Sequence, residues 1–111
     1  MKKYLRIAGN TEAPCYYALL EKGYQIKLVS CVLLNPEGTD CRYEFEATKE
    51  GLDYIVSATT MYELLALVVM GELRGFAHAD WNPSFEEKAY YFDLKDEAPL
   101  YDYQGNLVLE E

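Results

Sequence analysis

Apolar residues alternate, cluster and return at helical spacing along this chain, and their order predicts its elements. Tyr4-Leu5-Arg6-Ile7-Ala8 reads as a short strand closed by the turn pair Gly9-Asn10. Thr11 stands where a helix N-cap belongs, with Glu12 and Pro14 in a first turn that favours acids and accepts proline. Ala13, Tyr17 and Leu20, with Tyr16 beside them, are spaced to form one apolar face of a helix reaching about Lys22. Gly23 then suits the left-handed residue beyond the helix end. The longest strand runs from Tyr24 to Leu34. It begins by alternation and turns almost wholly apolar after Leu28, as a strand at the sheet centre or covered on both faces does. Asn35-Pro36-Glu37-Gly38 turns the chain, and Arg42 to Thr48 alternates with Tyr43, Phe45 and Ala47 inward. Lys49-Glu50-Gly51 turns it again into a strand at Asp53 to Ser57. These three strands predict an antiparallel meander.

A second helix is the clearest element. Thr60-Met61-Tyr62-Glu63 has the spacing of a capping box, in which hydroxyl and carboxylate satisfy free amides reciprocally. Met61, Leu64, Leu65, Leu67, Val68, Val69, Met70 and Leu73 make this helix apolar around most of its girth, so it lies deep or is covered outside. Gly75 ends it. Phe76 to Pro83 reads as a loop, and Phe85 to Leu94 fits helix or strand. Tyr101 to Leu109 suggests a terminal hairpin around Gln104-Gly105-Asn106. The pattern predicts one α+β domain over residues 1–111, a two-layer sandwich. Its sheet is mixed, mostly antiparallel, with four to five strands and two main helices on one face. The order is β-α-β-β-β-α and then the hairpin, the first helix making a right-handed crossover.

Charge narrows the partners. The chain carries −9, which disfavours nucleic acid and anionic membranes and favours a basic protein through steered encounter. Residues 1–30 are net +3, whereas residues 80–111 set nine acids against Lys88 and Lys95. Tyrosine is abundant, at 11 of 111 residues. No apolar run reaches the roughly 18 residues of a bilayer span, and no apolar signal core follows Met1-Lys2-Lys3. Cys15, Cys31 and Cys41 form no CxxC pair and are odd in number. A cytoplasmic protein without a cofactor is expected.

Candidate chemistry is sparse. Cys15 falls in a predicted first helical turn, where amides can stabilise a thiolate, but a nucleophile also needs a base and His78 is the only histidine. A small packed residue is the simpler account. His78 and Asp80 supply two metal ligands at no recognised zinc spacing, and Glu44 with Glu46 reads as a solvated sheet face. Gly9-Asn10-Thr11 before a helix could cradle an anion, but it lacks the glycines and lysine of a phosphate loop. No catalytic, metal or cofactor residue is assigned.

The aromatic and acidic C-terminal segment is the expected binding surface. Trp81, Tyr90, Tyr91, Tyr101 and Tyr103 offer large rigid contacts among Asp80, Glu86 and Glu87, whose charge suits a basic partner. The simpler account is that these aromatics cover the domain's own sheet. Tyr43 to Trp81, with Glu50-Gly51 at its hairpin turn and the capped helix Thr60-Met61-Tyr62-Glu63-Leu64-Leu65, resembles small bacterial α+β proteins. Some of these are proposed immunity proteins of contact-dependent or polymorphic toxin systems. The resemblance implies a non-enzymatic inhibitor of a basic toxin or nuclease and assigns no functional residue. A self-associating structural or regulatory subunit, such as a homodimer, is the alternative, and a Cys15 enzyme the third.

Overall fold

The computed structural model describes residues 1–109. In chain order it contains α1 (Glu12–Glu21), β1 (Gln25–Leu33), β2 (Cys41–Thr48), β3 (Val56–Ala58), α2 (Met61–Arg74), a 3-10 turn at His78–Trp81 and α3 (Phe85–Asp96). The class is α+β. The chain divides into two compact units, Met1–Asp80 and Trp81–Glu111.

In the first unit the expected meander forms, with β2 central and antiparallel to both neighbours. Register aligns Ile26, Ala47 and Val56 in one row and Leu28, Phe45 and Ala58 in the next, so all six share one face. Leu19 of α1 and Met61, Leu64 and Val68 of α2 join Tyr24, Ala47 and Val56 in the core on that face. Lys27, Glu44, Glu46 and Ser57 line the opposite face, where the Ser57 hydroxyl donates to Glu44 Oε1 at 3.4 Å. Two layers result. Each fully buried leucine or valine adds about 1.5–3 kcal/mol of burial.

The end of α1 shows how local signals meet this core. Tyr24 N–H donates to Leu19 O and Gly23 N–H to Leu20 O, with Gly23 at φ 93°. This is a Schellman cap, and its two hydrophobic partners, Leu19 and Tyr24, are themselves core residues. Lys22 bonds Glu72 of α2 at 2.7 Å, and the Tyr24 hydroxyl donates to the same carboxylate at 3.4 Å.

Several expectations are corrected. Residues 4–8 form no strand; Leu5 is 98% exposed and pairs with neither sheet edge, so β propensity has no sheet to act in. The crossover disappears with it. Without an outer partner β1 is an edge strand and not the sheet centre, and Leu28, Val29, Val32 and Leu33 are exposed. A bulge at Val29, between the Leu28↔Phe45 and Ser30↔Glu44 pairs, explains why alternation fails after Leu28. It shifts parity, so Cys31 and Leu33 join the face of Tyr43 and Phe45.

In α1 the inward stripe is Cys15, Tyr16 and Leu19, while Tyr17 and Leu20 are exposed. The Thr11 hydroxyl accepts from Ala8 N at 2.8 Å and does not cap the helix. At α2, Thr60 Oγ1 accepts from Glu63 N at 3.2 Å as expected, while the Met61 amide is taken by Glu12 of α1 at 3.0 Å. That carboxylate also meets the positive end of the α2 dipole. The buried stripe of α2 is Met61, Leu64, Val68 and Gly71, narrower than its sequence suggested, and Leu73 is exposed. Gly71 is needed because a Cβ there would strike the Phe76 ring.

In the second unit, Phe85–Asp96 is helix, and the terminal hairpin is reduced to a single Tyr101↔Leu107 bridge. Among the described residues the sheet therefore has three strands, against the four to five expected.

Candidate functional site

Helix α3 resolves the ambiguity of its sequence at its first turn. Ser84 Oγ accepts from Glu87 N at 3.1 Å and Glu87 Oε2 accepts from Ser84 N at 2.6 Å, a complete capping box. This Ser-x-x-Glu signature was the missed signal; the Tyr90-Tyr91-Phe92 run masked it. No residue of α3 is buried. Its aromatics are presented to solvent, with Tyr90 73% exposed.

Helical spacing divides the predicted residues of α3 into two faces. Glu86 lies four positions before Tyr90 and Asp93 three after it, so Tyr90 stands on an acidic ridge that Leu94 extends. Lys88 and Lys95 flank Tyr91 in the same way, and the Lys95 ammonium sits 4.8 Å from the Tyr91 ring centre. Tyr91 is therefore on the basic side of the helix. Glu87 is occupied with capping, which leaves Glu86 as the first-turn acid without that duty. Phe85 and Leu94, absent from the expected set, are exposed on the same helix.

The remaining predicted residues fall into separate settings. Tyr101 and Tyr103 are exposed on a tight reversal held by Asp102, whose Oδ1 accepts from Gln104 N at 2.9 Å and Asn106 N at 2.8 Å. Gly105 closes it at φ 88°. Trp81 is exposed at the end of the 3-10 turn. Asp80 belongs to the first unit and works there structurally. Its carboxylate accepts from Ala77 N at 3.1 Å and its carbonyl from Arg74 Nε.

The other candidates take structural roles. Cys15 packs against the core, and its amide already donates to Thr11 O at 3.2 Å, which places it past the free amides of the helix start. Glu12 serves the Met61 amide, so the segment after Gly9-Asn10 presents a carboxylate engaged with α2. Among the described residues no group of three or more His, Cys, Asp or Glu is placed to hold a metal ion. A cleft of about 280 Å³ between Tyr16, Ile26, Leu28, Phe45 and Met61 is lined without carboxylate, imidazole or amine.

Electrostatic perturbation concentrates at two places outside the α3 surface. Hydrogen bonding to Lys22 holds the Glu72 carboxyl below its ordinary range, and burial beside Glu72 pushes the Tyr24 hydroxyl up. On the sheet, contact with Cys41 raises the Cys31 thiol and also the Tyr43 hydroxyl. No protein-family model, curated protein or solved structure matches this chain.

Proposed function

We propose that this chain is a non-enzymatic protein-binding domain whose second unit docks a basic protein through the Tyr90 ridge of α3. The observation that carries this reading is a 12-residue helix, started by a complete capping box, that buries none of its own residues and sets Tyr90 between Glu86 and Asp93. A helix of this kind cannot be stabilised by its own core face, and covering it against a partner would bury the aromatics and neutralise the acids. Trp81, Tyr101 and Tyr103 extend the aromatic content of the unit. An immunity-type inhibitor of a basic toxin or nuclease is the specific form that the weak helix-and-hairpin resemblance favours.

The test compares two baits in host lysate at low salt, the unaltered protein and a Tyr90→Ala/Glu86→Lys variant. A basic protein recovered in stoichiometric amount by the first and lost with the second supports the reading. Recovery that ignores the variant sinks it. A toxin encoded beside this chain would favour the immunity form.

A second reading, self-association as a structural or regulatory subunit, is favoured by β1. The segment Tyr24–Leu34 contains no acid in a chain of −9, and β1 offers its outer edge with exposed Leu28, Val32 and Leu33. Bare apolar edges invite pairing with another strand, although the bulge at Val29 and Lys27 both oppose it. A monomer by sedimentation at high concentration would remove this reading.

A further inference from the structure

Cys31 and Cys41 are brought together by the hairpin. Cys31 pairs with Tyr43 and Leu33 with Cys41, so the two cysteines sit diagonally on one face, with Tyr43 completing the group. Cys31 is exposed and Cys41 half-buried, so both can be reached from solvent.

We propose that Cys31 and Cys41 form a two-thiolate site for one soft monovalent cation of the copper(I) type.

Spacing favours an ion over a disulfide. Diagonal partners on antiparallel strands stand about 7–8 Å apart between Cα atoms. A relaxed disulfide needs no more than about 6.8 Å. An ion bonded to two sulfurs at about 2.3 Å each lengthens the bridge by several ångströms and suits the wider gap. Ligand number selects the ion. No set of three or more His, Cys, Asp or Glu among the described residues is placed for a metal, so the described residues of one chain do not present the four ligands of structural zinc. Soft thiolates suit copper(I), which accepts two ligands in line. Binding breaks two S–H bonds, forms two sulfur–copper bonds and releases two protons to solvent. No electron is transferred. The bound group carries one net negative charge.

The test uses the reduced full chain without oxygen, titrated with copper(I) against a chromophoric chelator and weighed by native mass spectrometry. One copper per monomer is expected. Cys31→Ser and Cys41→Ser should each weaken binding by about 100-fold or more, because the second thiolate acts at high effective concentration. Cys15→Ala should bind as the parent does. In the parent, bound copper should protect Cys31 and Cys41, but not Cys15, from alkylation as read on peptides. This arm decides the matter if a serine variant misfolds. Copper held only by dimers, equal binding by the Cys31→Ser variant, or alkylation of Cys31 unaffected by copper would each overturn the site.

Discussion

Single residues hold this small core through contacts that cross between elements. Gly71 is one: its missing Cβ leaves room for the Phe76 ring, and Gly71→Ala should cost about 1–3 kcal/mol through overpacking despite alanine's better helix propensity. Urea unfolding followed by circular dichroism would show the lower midpoint; an unchanged or higher midpoint would mean the ring simply moves aside. Glu72 makes a pH prediction. Its carboxyl is held below the ordinary range by Lys22, so this pair adds stability above the unfolded carboxyl value near 4.3 that fades as pH falls through the lowered folded value. Tyr24 acts in the other direction. Its raised hydroxyl adds stability below about 10 that is lost as pH rises through the folded value. The Glu72 effect is small because its ion pair with Lys22 is partly exposed. Glu72→Gln should therefore flatten the acid limb of a stability-against-pH curve, and an unaltered limb would show that Lys22 contributes nothing.

At the scale of elements, capping separates what local sequence can decide from what it cannot. The Ser84 and Glu87 box starts α3 with no help from packing, since α3 buries nothing. Ser84→Ala should cost about 1 kcal/mol, visible as faster amide exchange in the first turn of α3 and little change in α2. Equal protection in both would mean that something other than its cap holds α3. The end of α1 was legible too, because Gly23 and the Leu19–Tyr24 contact are encoded within six residues. The start of α2 was half legible. Thr60 was readable as its cap, but the acceptor for Met61 N is Glu12, 49 residues away, and no local pattern reveals it. Strand β1 was misread for a related reason. An apolar run asks for cover, yet only the pairing of a further strand outside β1 could have made it central.

The whole molecule adds the division into two units and the uneven charge. The second unit carries a pronounced excess of acids over Lys88 and Lys95, and it also presents the exposed aromatics of α3 and the Asp102 turn. If a basic partner docks there, affinity should fall as salt rises, because exposed charges are screened beyond about 10 Å at 0.1 M. Binding measured across salt should lose this slope in the Glu86→Lys variant while Lys95→Ala leaves it or steepens it. A salt-independent affinity would assign the interaction to apolar contacts alone. The expected binding set was legible as a composition, acids among aromatics, but not as a surface. Helical spacing puts Tyr90 with the acids and Tyr91 with the lysines, Glu87 is occupied by its cap and Asp80 by the segment after α2.

The sequence by itself determined the α+β class, the meander, the span of α2 and the turns, because each rests on period, capping or glycine within a few residues. Tertiary structure alone decided that residues 4–8 stay out of the sheet, that β1 becomes an edge and that Glu12 serves α2. It also decided that the Val29 bulge brings Cys31 beside Cys41. Those outcomes depend on which distant segments pair and in what register, and a one-residue shift in register turns every following side chain to the other face.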